Sequence, residues 1–71
     1  MFDKRELQVQ MLRNDVSMTD LANYIGVNIA TLSRKMNGIS DFTRNEIQLI
    51  KTKLNLSAQD VERIFFAHKL A

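Results

Sequence analysis

The sequence predicts an all-α fold, a compact bundle of five short helices. Three observations carry that expectation. No segment alternates apolar and polar residues with period two over a strand's length, whereas apolar residues recur at helical spacing. Two glycines and no proline leave few breakers, which favours helices joined by tight turns. Ser, Asn and Asp stand just ahead of the periodic runs, where a side-chain oxygen caps the first free amides of a helix. With 71 residues the chain forms one domain, 1–71, and folding buries only about 60% of its unfolded surface. The absence of cysteine excludes disulfides, thiolate metal sites and thiol nucleophiles together, so stability must come from a helical core. A hydrophobic content of 45% is that of a globular chain and not of a disordered one.

The first helix is expected from about Asp3 to Arg13, with Leu7 and Met11 on one face. Asn14 and Asp15 end it, because both tolerate the left-handed conformation. Val16 then turns inward. Ser17-Met18-Thr19-Asp20 reads as a cap followed by an acidic third position that suits the positive end of a helix. The second helix runs over about 18–25 and buries Leu21, Ala22 and Ile25. Gly26 stands where the chain leaves through positive φ. Val27 continues inward and Asn28 caps a third helix over 29–36, with Leu32 and Met36 facing the core. Asn37-Gly38 stops it. Ser40 or Asp41 is expected to open a fourth helix with Ile47, Ile50 and Leu54 on one face, ended by Asn55. Ser57-x-x-Asp60 caps a fifth, whose buried stripe is Val61, Ile64 and Phe65.

Several function classes fall away. No run approaches the roughly 20 apolar residues of a membrane span, and the opening MFDKREL lacks the apolar stretch of a secretory signal, so a cytoplasmic protein is expected. No acid–base pair, phosphate-cradling glycine loop or metal-ligand spacing occurs, so the chain is read as no enzyme and as using no cofactor or small-molecule ligand. The four methionines read as core filler, and the single histidine, His68, as a partly packed or frayed terminal residue and not a ligand. The net charge is only +2, yet it is unevenly placed. Residues 34–53 carry five Lys and Arg against two carboxylates, whereas 1–33 is slightly negative and 54–71 neutral. A central cationic stretch is a possible footprint for a polyanion.

The informative stretch is SMTDLANYIGVNIATLSRKMNG, residues 17–38. Two short helices flank a three-residue turn containing Gly26, the helix-turn-helix arrangement. Ala22 is small enough for close helix approach, and Ile25, Val27 and Leu32 fill the hinge. The outward face of the third helix is slender at its start and carries Arg34 one turn later. That shape suits a groove ~12 Å wide, with Arg34 at a guanine edge and Ala30 or Ile29 at a thymine methyl.

These residues resemble the helix-turn-helix of the Cro and repressor (XRE-like) family, which reads Ser/Thr-Gln-x-x-Leu-Ala-x-x-x-Gly-Val-Ser-x-x-x-Ile-Ser-Arg-x-Glu-x-Gly. The match is carried by Ser17, Leu21, Ala22, Gly26, Val27, Leu32, Ser33, Arg34 and Gly38. The stretch SRKMNGISDFTRNEI and the closing VERIFFA also resemble small regulators of temperate phages of Gram-positive bacteria. The resemblance implies a bundle of the lambda-repressor-like type and a sequence-specific regulator acting by occupancy of an operator in double-stranded DNA. It places Asn28, Ile29, Ala30, Thr31, Ser33 and Arg34 at base edges. It places Ser17, Met18 and Thr19 at one run of phosphates, and Lys35, Asn37, Ser40, Thr43 and Arg44 at another. Met18 stands where the family has glutamine, and Met36 where it has glutamate. Relatives often dimerise on palindromic sites. Phe66, with Leu70 four residues on, lies off the buried stripe, which fits either a wider core or a homodimer joined through the C-terminal helix. Two other readings stay open: a protein-interaction module of the antitoxin or anti-repressor kind, and an architectural or excisionase-like DNA binder.

Overall fold

The computed structural model describes residues 2–66, and over these the chain is all-helical. Five helices follow one another: α1 (Lys4–Arg13), α2 (Met18–Ile25), α3 (Ile29–Met36), α4 (Arg44–Lys53) and α5 (Ala58–Phe65). Helix α2 packs against both α3 and α4, and α5 packs against α1 and α4. The bundle closes around Leu7, Leu21, Leu32, Ile50, Leu54 and Ile64, one or more from each helix or its cap, all with essentially no exposed surface. His68 and Leu70 lie outside the described residues.

Each helix begins on a side-chain cap: Asp3, Ser17, Asn28, Thr43 and Ser57 accept the amide three residues on. Four helices end in the same way. The amides of Val16, Val27, Ile39 and Leu56 reach back to the carbonyls of Met11, Ala22, Arg34 and Lys51 at 2.9–3.0 Å. The residue before each is left-handed: Asp15, Gly26, Gly38 and Asn55, with φ between 54° and 82°. This closure satisfies orphan carbonyls and throws an apolar side chain back onto the bundle. Leu56 is buried and Val16 and Val27 are half-buried against the core, but Ile39 remains 73% exposed.

The fourth helix departs from the sequence expectation. It starts neither at Ser40 nor at Asp41, but after Thr43. Thr43 Oγ1 accepts the Glu46 amide at 3.1 Å and Glu46 Oε1 accepts the Thr43 amide at 2.9 Å, a reciprocal box that Ser40 and Asp41 do not form. The loop before it turns Phe42 inward, with ring centroids 5.1 Å from Phe2 and 5.4 Å from Phe65. The Asp3 amide, bonded to the Ile64 carbonyl at 2.7 Å, ties the N-terminal end to α5 beside this aromatic cluster.

Three N-termini carry such reciprocal boxes: Ser17 with Asp20, Thr43 with Glu46, and Ser57 with Asp60. Bonds from the Ser17 amide and hydroxyl hold the Asp20 carboxyl below its ordinary value, and the Ser57 amide and Arg63 do the same for Asp60. Burial pushes the Glu46 carboxyl up, but the Thr43 amide and the Lys35 ammonium outweigh it and the net direction is down. A lowered folded-state value means the fold favours the ionised form. The stability these groups add is therefore complete above the ordinary carboxylate range and drains as pH falls through the lower folded values. Thermal midpoints should hold level down to about pH 5 and fall below it, with a shallower acid limb for Glu46→Gln. Identical acid limbs for the two proteins would count against the assignment.

Candidate nucleic-acid interface

Two side chains of helix α3 are buried, Leu32 and Met36. Everything else on it faces partly or wholly outward. Ala30 is exposed and Ile29 is 47% exposed, so the first turn is slim and apolar. Asn28 Oδ1 accepts the Thr31 amide at 2.7 Å, which leaves the Asn28 side-chain amide as its outward donor. Thr31 and Ser33 are half-buried along the flanks. Arg34 is exposed and, among the described residues, its side chain makes no hydrogen bond or ion pair. Its five N–H donors are open in a fork that matches two adjacent acceptors.

Lys35, expected at a phosphate, is turned back against α4, with its ammonium 3.1 Å from Glu46 Oε1 and side chains only 11% and 12% exposed. It also donates to the Asp41 carbonyl at 2.9 Å. Asn37 is exposed at the end of α3, and its Oδ1 accepts from Lys4 Nζ at 2.7 Å, a link from α1 that sequence reading missed. Ser40, Thr43 and Arg44 are all exposed where the loop meets α4, with the Thr43 hydroxyl oxygen already capping its helix.

The start of α2 differs from that of α4. Met18 is half-buried and packed against the core, while Ser17 and Thr19 are exposed. Asp20 Oδ2 accepts the Ser17 amide at 3.2 Å, and no cation forms an ion pair with Asp20 among the described residues. A phosphate approaching Ser17 therefore meets a carboxylate, whereas at α4 the equivalent carboxylate, Glu46, is neutralised by Lys35. The residues that expectation grouped as two phosphate sites are thus electrostatically unequal. Glu46 itself was legible in Thr43-x-x-Glu46, a capping-box spacing masked by the competing caps Ser40 and Asp41.

No cluster of three or more His, Cys, Asp or Glu side chains is placed to hold a metal ion among the described residues. Nor is any described helix long and apolar enough to cross a membrane. Comparison with protein-family models, curated proteins and solved structures gives no match.

Proposed function

We propose that the chain is a sequence-specific double-stranded DNA-binding regulator of the lambda-repressor-like kind, with α2 and α3 as its helix-turn-helix and α3 in the major groove. The observation that carries this reading is the pairing of Arg34, exposed and uncommitted, with the slim Ile29–Ala30 edge one turn earlier. Arginine donating two bonds to a guanine edge is the commonest specific contact in the major groove, and small apolar side chains suit thymine methyls. Regulation follows from occupancy: the protein covers an operator and competes for it. Phe66, 45% exposed beside Phe42 and Ile47, supports a homodimer joined near the end of α5. A two-fold pair would meet half-sites ~34 Å apart. Selection of bound sites from a random duplex pool tests both points. An enriched palindrome is expected; no enrichment, together with amide shifts that stay unchanged on adding duplex, would sink the reading.

Arg44, the first residue of α4, is assigned to the backbone and not to bases. Arg44→Ala should weaken binding to all duplexes alike and lower the slope of log K against log salt by ~0.9. Titrations at several salt concentrations check this, and an unchanged slope removes the assignment.

A second reading is favoured by Ile39, 73% exposed, and Ile29 near it in sequence across α3. Exposed apolar side chains of this size serve a protein partner where they form one contiguous patch. Complexes with DNA should collapse as salt rises, whereas an apolar protein contact should persist.

A further inference from the structure

Lys35 and Arg34 are adjacent in sequence and opposite in disposition. The Arg34 side chain reaches outward with no polar partner among the described residues, while Lys35 lies along a wall formed with Phe42 and Ile47 and ends on α4. Its ammonium shares Glu46 Oε1 with the Thr43 amide, which donates to the same oxygen at 2.9 Å. The bond to the Asp41 carbonyl fixes the intervening loop as well. One side chain of α3 therefore fastens the loop and the first turn of α4, where Arg44 stands.

Resting on the DNA-binding reading above, we propose that Lys35 is a positioning residue that sets the distance between Arg34 and Arg44, and makes no phosphate contact itself. Two physical arguments support it. Pulling Lys35 away to a phosphate would strand the half-buried Glu46 carboxylate without its counter-ion, which is the costly way to break such a pair. That stranded carboxylate would also face any phosphate held at Arg44. The paired state removes both penalties, so Lys35 assists a nearby phosphate indirectly by cancelling the charge of Glu46. A guanidinium that reads a base and one that grips the backbone then approach the duplex as parts of one rigid unit.

The test uses the full chain, a selected operator duplex and a scrambled duplex of equal length. Glu46→Gln keeps the capping box, since glutamine serves at that position, and releases Lys35. Lys35→Met combined with Glu46→Gln removes both charges and keeps the stem's volume. Circular dichroism confirms that each variant folds. For the double variant we expect the wild-type salt slope, with the ratio of operator to scrambled affinity reduced about tenfold. Lys35→Arg, which retains the ion pair, should keep most of that ratio.

Two results would overturn the proposal while leaving DNA binding intact: a salt slope lowered by ~0.9 in the double variant, or an operator-to-scrambled ratio unchanged in both Glu46→Gln and the double variant. Failure of the wild-type protein to bind either duplex overturns the DNA reading and this proposal together.

Discussion

Leu32→Ala is expected to destabilise the domain by about 2–5 kcal/mol, the range for a large aliphatic side chain deleted from a closed core. Leu32 has no exposed surface and is one of the two buried side chains of α3. A chain of this length holds roughly 4–11 kcal/mol in all, so a single truncation removes a large share of it. Urea unfolding followed by circular dichroism gives the number directly. The loss should begin locally: amides of α3 should lose exchange protection before those of α4, which keeps Ile50 and Leu54 buried. Ala30→Ser, on the exposed side of the same helix, should stay within about 0.5 kcal/mol of the parent. A loss below about 1 kcal/mol for Leu32→Ala would mean the site collapses around the deletion and that α3 is held by something else.

Arg34→Ala should have the reverse profile. Its side chain touches no described partner, so the thermal midpoint should hardly move. What should change is discrimination: about 1–3 kcal/mol, roughly fivefold to 150-fold, at one base pair of the operator. A panel of single-substitution operators locates that base pair as the position where the variant no longer prefers one base. Binding weakened equally for every operator would reassign Arg34 to the backbone, and an unchanged panel would remove it from the interface.

Much of this arrangement was legible in the sequence because it depends on local chemistry. Gly26 takes the left-handed turn that its position between two helical patterns demanded, and Asp15, Gly38 and Asn55 end their helices where short polar or glycine residues can. Leu21, Ala22, Leu32, Met36 and Ile50 are buried where helical spacing put them. What sequence reading missed depends on partners distant along the chain. Lys35 looked like any outward cation of α3, and only the approach of α4 shows that Glu46 and the Asp41 carbonyl claim it. Phe2 and Phe42 escaped notice because neither lies on a periodic face; their rings meet Phe65 through tertiary packing alone. Leu56 follows a helix end, and its burial comes from the closure at Asn55 and not from helix periodicity. The start of α4 was misplaced because three plausible caps stood within four residues, and the one that recruits a carboxylate in return prevailed.

Helix α3 is bounded by Gly26 and Gly38, and an added Cβ at either would meet nothing within 4 Å. The bundle grips this helix from within, by Leu32 and Met36, and by the Lys35 tether, and leaves Ala30 and Arg34 exposed. Alterations to Ala30 or Arg34 therefore leave the interior packing untouched, and the cradle beneath survives intact. On the DNA-binding reading proposed above, such a division would let a lineage exchange one vocabulary for another through a few substitutions while the bundle stays folded.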